Sequence, residues 1–531
     1  MSGIPRRPAD RVLNPPAELP AAGGKRRIDA AIVDRLTAAW VTSRSSLDHE
    51  LRTSLDLTRT RSRDLFVNNE YATKFGSMVA SNVVGPEGFV LQSRPADPDG
   101  SVDRVAARAV EAAWWRWMRP ANCDITGRRS FVALCQAGIL SVARDGELLW
   151  RKVRGRGAGP FGLQLQPIDV DRLDTNYNLA AVAGRNAIIM GVEVTDYGKP
   201  VAYHIWTAHP SDALSDRKRE RVLAEDMIHL FLHQREGQTR GIPWMAPVMR
   251  RIHDLEAYRH AAVVAARQGA SKMGFYVSPD GNPADLGEDS DGKFAREASP
   301  GTFDVLPSGY DFKSYDPTYP HDQFDSFCKE ALRGISSGLR VAYPSLGNDL
   351  TGVNFSSIRS GVLEERDYWM GVQAWMISSL LEPLFDEWLE LALLREAIVL
   401  PSGRPLPLAR FEKFSAHVWQ PRRWSWVDPK KDMEAAILAI NARLASPQQI
   451  AAQQGRDIED VLDDIAQFEQ MLSARGISMP EQGRPPPAPP PEDDEDRTRK
   501  LADLQATRSM IDALRDLAQR PVNLQVQPPQ T

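Results

Sequence analysis

The sequence predicts an α+β chain whose second half is dominated by long helices. Three observations carry that prediction. Up to Asp145-Gly146, apolar residues recur at three- and four-residue spacings; beyond it come short runs rich in β-branched and aromatic residues; from Trp244 onward helical spacing returns over stretches too long for strands. Helices first, sheet after and helix again is the order of an α+β unit with helical extensions, not of alternating βα repeats.

Residues 1–30 are rich in Pro, Gly, Ala and Arg without periodicity. Such a composition cannot bury enough apolar surface to offset the entropy of ordering, so a flexible basic arm is expected. From Ala31 to Val84 the spacing is helical, with Leu65, Phe66, Ala72, Phe75, Met78 and Val79 on it and Gly85-Pro86 stopping it. A second helix is expected over about Val102 to Met118, carrying Trp114, Trp115 and Trp117, and a third from about Arg129 to Ala143. Strands are expected at Glu147 to Val153, Leu163 to Ile168, Ile188 to Val194, Val201 to Trp206 and Met227 to Leu232, with Gly237 to Pro243 ending the β-rich stretch. Residues 31–243 thus read as one unit.

From Trp244 to Ser271 the residues Met245, Val248, Met249, Ile252, Leu255, Ala262, Val263 and Ala266 mark a long helix, Pro247 being tolerated in its first turn. Residues 280–316 then hold nine acids against Lys293, Arg296 and Lys313, which reads as a small, acidic, loop-rich insertion. Helical character returns from Asp322 to Val341, breaks over Ala342 to Asp349, and resumes from about Ser356 to Ile398. Glu382-Pro383 predicts a kink there, because proline removes a backbone donor and clashes with the preceding turn. A loop-rich stretch follows Pro401. Two helices are expected near Lys430 to Leu444 and Asp457 to Arg475, with Ser446-Pro447 between them. Residues 479–531 are Pro-rich and acidic, a composition expected to be mostly disordered around a short helix at Leu501 to Leu517.

Composition narrows the function. Of 531 residues, 42% are hydrophobic and 25% charged, the balance of an ordinary globular protein. Lys and Arg number 65 against 70 Asp and Glu, a net charge of −5 that argues against gripping nucleic acid over most of the surface, while leaving room for a local basic stripe. Three scattered cysteines, Cys123, Cys135 and Cys328, make no disulfide framework and point to a reducing cytosol. The N-terminus has no apolar run behind its basic residues, and the most apolar window, Trp369 to Phe385, is interrupted by Gln373, Ser378, Ser379, Glu382 and Pro383, so neither secretion nor a membrane partner is expected. No CxxC, HExxH, GxGxxG or Walker-type loop is present and the nine histidines show no ligand spacing, so no metal or cofactor is expected.

Five features bear on chemistry. Gly334-Ile335-Ser336-Ser337-Gly338 fits the GxSxG pattern of hydrolases, but that serine needs a strand-to-helix elbow and the residues before it are helical. His229 lies in a strand pattern and reads as structural, and Glu364, Glu365 and Asp367 read as the charged face of an amphipathic helix. The tryptophan groups Trp114, Trp115, Trp117 and Trp419, Trp424, Trp426 are either stacking platforms for bases or packing anchors, and tryptophan's large buried area favours packing. Lys329, Arg333 and Arg340 fall toward one helix face, which is either solvated or, repeated around a ring, a pore lining with weak phosphate contacts.

The order of short motifs is more specific than any one of them. Asn68-Asn69-Glu70-Tyr71-Ala72, Asn82-Val83-Val84-Gly85, Asp145-Gly146-Glu147, Ile168-Asp169-Val170-Asp171-Arg172-Leu173-Asp174, Gly191-Val192-Glu193-Val194, Gly198 to His204 and Ile228-His229-Leu230-Phe231 occur in sequence. Gly237 to Trp244, Asn354-Phe355-Ser356-Ser357-Ile358-Arg359 and Trp426-Val427-Asp428-Pro429-Lys430 follow. Over roughly residues 60–475 this series resembles the portal proteins of lambda-like tailed bacteriophages.

The resemblance implies a ring of identical subunits, usually a dodecamer, at one capsid vertex. Such a head-tail connector conducts double-stranded DNA during packaging and ejection, without enzymatic activity of its own. It implies a wing over 31–243 and 356–428, a stem helix over 244–271, a clip over 272–320, a second stem helix over 321–341, a channel loop over 342–355 and a helical crown over 429–478. Carried over by position, Lys329, Arg333, Arg340, Asn348, Asp349 and Asn354 would face the DNA. Clip residues Asp285, Glu288, Asp289, Asp291, Lys293 and Arg296 would meet the large terminase subunit during packaging and a head-completion or adaptor protein afterwards. Major capsid and scaffold proteins are the other implied partners. An obligate ring would account for the tryptophan excess as subunit packing, at Trp244, Trp369, Trp375, Trp424 and Trp426. The implied place is the virion, with synthesis in the host bacterial cytoplasm. Gly347 and Gly352, with no apolar stripe pinning the segment, suit the channel loop to movement. Two alternatives stand beside this reading: a serine hydrolase using Ser336, which requires a strand before Gly334, and a non-ring nucleic-acid-binding scaffold, which requires steeply salt-dependent affinity for free DNA.

Overall fold

The computed structural model describes residues 35, 44–212, 218–270, 274–277, 311–314, 323–351, 355–424, 429–454, 456 and 458–476. Those up to residue 422 form one unit and those from 423 a second. The first unit begins with two helices, α1 (Leu47–Asn68) and α2 (Glu70–Val83), where the apolar spacing predicts one. Asn69 makes the division: its backbone is extended and its side-chain oxygen accepts from the amides of Tyr71 and Ala72, capping α2. Asparagine competes for backbone donors in this way, which periodicity cannot register.

A strand, β1 (Val90–Ser93), precedes α3 (Arg104–Trp117), the single turn α4 (Pro120–Cys123) and α5 (Phe131–Asp145). Asp103 caps α3 and Ser130 caps α5, each accepting from an amide three residues on, and Gly146 ends α5 in the left-handed conformation at φ 94°. β2 (Leu148–Arg154) then pairs antiparallel with β3 (Leu163–Pro167). A second sheet runs in simple order through β4 (Ala187–Ile189), β5 (Val192–Val194), β6 (Pro200–Trp206) and β7 (Arg219–Leu223), and β8 (Met227–Leu230) returns to the free edge of β2. The single strand expected over Ile188 to Val194 is therefore a hairpin. Met190 and Gly191 both have positive φ, as a tight two-residue turn requires. β7 escapes sequence reading because Arg219, Glu220 and Arg221 hide its pattern, while Arg221 pairs across the sheet with Glu193 at 2.7 Å.

After α6 (Met249–Ala270) only an antiparallel pair is described, β9 (Gly274–Val277) with β10 (Asp311–Ser314). The acidic residues and cations between them lie outside the described residues. The chain continues through α7 (Phe324–Leu339), a one-turn helix α8 (Tyr343–Gly347) inside the expected break, and α9 (Phe355–Met376). The expected kink takes a specific form: a π-helical turn, Ile377–Leu381, widens the helix before Pro383 in the first turn of α10 (Glu382–Leu394). After α11 (Phe411–Ser415), β11 (His417–Gln420) pairs antiparallel with β1, Val90 facing Gln420. The unit that begins with residue 47 thus closes only with this late strand, which the order of signals does not reveal.

Trp114 is the hub of the core. Its ring centroid lies 4.7 Å from that of Trp117, 4.9 Å from Trp388 and 5.5 Å from both Phe131 and Trp419, tying α3, α5, α10 and β11 together. Trp114 and Trp117 are buried, which settles their role as packing anchors rather than platforms for bases.

The second unit contains α12 (Pro429–Asn441), α13 (Pro447–Gln453) and α14 (Ile458–Ala474). The short α13 lies where Ser446-Pro447 reads as a break. The same residues start it: Ser446 and Gln449 form a reciprocal capping box and Pro447 sits in the first turn. Among the described residues, no helix is long and apolar enough to cross a membrane.

Candidate functional site

α7 orders the cationic face that sequence periodicity picks out. Leu332, Ile335 and Leu339 are buried on its inner side, which turns Lys329 and Arg333 outward. Neither cation is loose. Lys329 Nζ lies 2.9 Å from Asp325 and 3.5 Å from Asp349, and its pKa is raised, chiefly by the hydrogen bond to Asp325. Arg333 pairs with Glu330 at 3.6 Å and its guanidinium stands 5.5 Å from the ring centre of Tyr343.

Arg340 departs from this face. It ends α7 in the left-handed conformation, φ 58°, and its guanidinium turns to the Tyr368 ring on α9, 5.4 Å from the centroid. A straight extrapolation of the helix aligns it with Lys329 and Arg333; the cap breaks that alignment.

The segment after α7 is held at several points, against the expectation that no apolar residue pins it. Leu346 and Val341 are buried, and the Ala342 amide donates to Glu365 on α9 at 3.0 Å. The Tyr343 hydroxyl donates to Asp349 at 2.7 Å, and Asp349 also accepts from the Thr351 amide at 2.9 Å and hydroxyl at 2.5 Å. These hydrogen bonds, Thr351's first among them, hold the Asp349 carboxyl well below the usual carboxylate range. Tyr343 moves the other way, to about 12, through burial and its bond to Asp349. Asn348, left-handed at φ 54°, accepts from Lys74 on α2. Lys329, Arg333 and Asp349 therefore converge around Tyr343, while Asn348 is turned to Lys74 on α2. Asn354 lies outside the described residues. Sequence reasoning missed Tyr343, Thr351 and Lys74, although Asp349-Leu350-Thr351 carries the acceptor-donor spacing of a local side-chain turn.

A second assembly gathers the motifs that carry the family resemblance. Glu147, fully buried, accepts from Arg59 at 2.9 Å, from Arg240 at 2.5 Å, and from the Gly241 amide at 2.9 Å, and His229 Nε2 lies 2.9 Å away. Arg240 spends its remaining donors on the Met190 and Leu173 carbonyls at 2.7 and 3.3 Å. Burial pushes the Glu147 carboxyl up, but Arg240, His229 and Arg59 outweigh it and hold the group well below its ordinary value. Around this centre Arg63 binds Asp145 at 2.7 Å, Asp169 at 3.1 Å, and Asp171. His229 is structural, as its strand pattern indicated. Asp169, Asp171 and His209 bring donor atoms within 4.8 Å of one another, but Arg63 already supplies the positive charge both aspartates need.

Ser336 lies inside α7, 2% exposed, with helix rather than strand before Gly334. The nucleophile elbow is absent and the hydrolase reading falls. The GxSxG glycines have another use: a Cβ on Gly338 would fall 2.2 Å from Val248 Cγ1, so the glycine permits close packing of α7 on the residues leading into α6. Of the tryptophans expected at subunit contacts, Trp369 is covered by its own chain, 1% exposed with its indole donating to Glu365 at 3.1 Å, and so has no surface to offer a neighbour. Trp244, Trp375 and Trp424 are half-buried in the single chain, and Trp426 lies outside the described residues. The same holds for Asp285, Glu288, Asp289, Asp291, Lys293 and Arg296.

The family described as phage portal protein, lambda family, matches residues 33–373. A probable portal protein of Halomonas phage phiHAP-1 is 35% identical over 462 residues, covering 84% of this chain and 86% of the relative. Portal protein B of Escherichia phage lambda is 24% identical over 490 residues, 83% of this chain and 89% of its own. A solved chain from the virion of a native gene transfer agent particle aligns with 75% of this chain and 93% of its own length, with a TM-score of 0.42 and 14% identity.

Proposed function

Because the chain belongs to the lambda family of phage portal proteins, we propose that its copies close into a ring of about twelve subunits at one vertex of a phage capsid. Double-stranded DNA passes through the central hole during packaging and ejection. The family match across residues 33–373 is the observation that carries this reading. The family is structural rather than catalytic, and we extend that to this chain: it supplies a conduit, while the work of translocation belongs to the terminase.

The geometry around Tyr343 supports a conduit better than a clamp. A channel that held phosphates tightly would stall the DNA it conducts, since each neutralised phosphate adds binding free energy through counterion release. Lys329 and Arg333 are offered on the exposed face of α7 but stay paired with Asp325, Asp349 and Glu330. A passing phosphate therefore competes with an existing partner, which keeps any contact weak and independent of sequence. In this reading α7 and residues 342–355 face the DNA, and Arg340, turned to Tyr368, braces the segment rather than touching phosphate.

The remaining assignments rest on family position. Residues 272–320 form the clip, which docks the large terminase subunit and later an adaptor or head-completion protein. Residues 429–478 form the crown. Major capsid and scaffold proteins surround the ring in the virion, after synthesis in the host cytoplasm.

Native mass spectrometry of the full chain, with negative-stain images of the same sample, tests the reading. Closed rings of about twelve subunits with a central hole are expected. Monomers alone at high concentration, and no rings on co-expression with scaffold and capsid proteins, would sink it and leave a non-ring nucleic-acid-binding scaffold to be tested by salt-dependent DNA affinity.

A further inference from the structure

The second unit has no core of its own: none of its described residues is buried. Helices of the length of α12 and α14, 13 and 17 residues, draw most of their stability from an apolar face packed against something else. Both carry such a face, and both faces are open. On α14, Ile458, Val461, Ile465, Phe468 and Leu472 follow one another in steps of three and four, the spacing of a coiled-coil seam, and Ile465 and Phe468 are each 47% exposed. On α12, Met433, Ile437 and Ile440 keep the same steps, with Met433 49% and Ile437 50% exposed. Two seams in register with the helix are more than the scattered exposure of an ordinary surface. Within the chain α14 meets α13, and its seam stays open all the same.

Charge selects what can cover α14. Asp464 and Glu469 stand next to the seam residues Ile465 and Phe468, both exposed and without a cationic partner among the described residues, and α14 contains no Lys or Arg. Charges flanking a seam decide which helices pair. Two α14 seams laid together would set these acids against their own copies. The α12 seam offers the opposite sign: Lys430 stands at one end of it and Arg443 just past the other, both exposed and without an acidic partner among the described residues.

We propose that the α12 seam of one copy packs along the α14 seam of the next, so that the second unit gains its core only between copies. The contact joins two different faces, which leaves one α12 and one α14 open at the ends of any chain of copies until the last meets the first; such a contact closes as a ring. The proposal rests on the ring reading and names the helices that join its subunits in the second unit.

The test is disulfide trapping in the full chain, with Ile437→Cys combined with Ile465→Cys or with Phe468→Cys and a mild oxidant added after assembly. The parent chain, with its own three cysteines, sets the background. A ladder of joined chains running up to the ring size, in at least one double variant and in no single variant, is expected. Ladders from Ile465→Cys or Phe468→Cys alone, or a disulfide that closes within one chain, overturn the proposal. Parent rings with no such ladder overturn it and leave the ring reading standing, whereas a parent that forms no rings overturns both. Hydrogen exchange gives a second readout without substitutions. Amides of α12 and α14 should exchange at least about tenfold more slowly in rings than in the dilute single chain, and equal exchange in the two states overturns the proposal.

Discussion

Gly146 and Gly241 cross at backbone distance. A Cβ on Gly241 would fall 2.0 Å from the Gly146 carbonyl oxygen, and one on Gly146 would fall 2.7 Å from the Gly241 carbonyl. Neither obstacle is a flexible side-chain tip, so relief requires the main chain to move, and with it the buried Glu147, which accepts from the Gly241 amide. Gly241→Ala should destabilise the first unit by about 2–3 kcal/mol. Gly146→Ala should cost at least as much, since its φ of 94° adds strain for any L side chain. Urea unfolding followed by tryptophan fluorescence measures both, and an unchanged midpoint for Gly241→Ala would contradict the crossing.

Glu147 makes stability depend on pH in a defined direction. Its folded-state pKa is depressed below the ordinary 4.5, so its contribution is fully present above that value and is lost as pH falls below it. Glu147→Gln removes this component. The variant should be less stable at neutral pH, and its melting temperature should fall less steeply than that of the parent between about pH 4.5 and 3. Arg240→Met tests the pair from the other side. It leaves a buried carboxylate with one fewer cation, at a cost of about 3–5 kcal/mol. Melting curves at neutral pH should show Glu147→Gln to be at least as costly as Arg240→Met, because it leaves the buried Arg240 guanidinium with no anion, whereas Glu147 keeps Arg59, His229 and the Gly241 amide when Arg240 is gone.

How much of this was legible beforehand depends on the kind of interaction. α3, α5, α6 and α7 follow from apolar spacing, and β2, β3 and β6 from β-branched runs, because there the local pattern and the buried face coincide. β1 and β11 are four residues each and find one another across more than three hundred positions, so neither carries a local signal. The ion network was present in sequence only as short motifs in a fixed order; nothing local says that Arg59, Glu147, His229 and Arg240 meet. The cationic row failed at Arg340 for a local reason, since a left-handed arginine at a helix end is uncommon and periodicity assumes that the helix continues.

The segment after α7 should loosen in a graded way. Tyr343→Phe deletes one hydrogen bond to Asp349, whereas Asp349→Ala deletes the acceptor for Tyr343 and Thr351 together with the ion pair to Lys329. Exchange of amides 343–351 should rise about three- to tenfold in Tyr343→Phe, the equivalent of about 1 kcal/mol, and more in Asp349→Ala. Global unfolding should change little, because the hydrogen bonds removed lie within the segment and Leu346 stays buried in both variants. Identical exchange in all three chains would show that Leu346 alone holds it.

The GxSxG sequence permits a prediction that separates packing from chemistry. A Cβ on Gly334 would meet only the guanidinium tip of Arg251, at 2.7 Å, which can swing aside, so Gly334→Ala should lie within about 1 kcal/mol of the parent. A Cβ on Gly338 would meet Val248 Cγ1 at 2.2 Å, a buried, branched side chain with one preferred rotamer, and Gly338→Ala should cost about 2–3 kcal/mol. Ser336 Oγ is buried and finds no hydrogen-bond partner among the described residues, so Ser336→Ala should be neutral or slightly stabilising. A catalytic elbow demands the reverse order, with Ser336 indispensable and both glycines intolerant. The decisive measurement is a double-mutant cycle on unfolding free energy. If α7 packs against the residues leading into α6 as described, Val248→Ala relieves the overlap created by Gly338→Ala. The pair then shows a favourable coupling of about 1–2 kcal/mol, whereas additive losses would place the cost of Gly338→Ala in the helix itself.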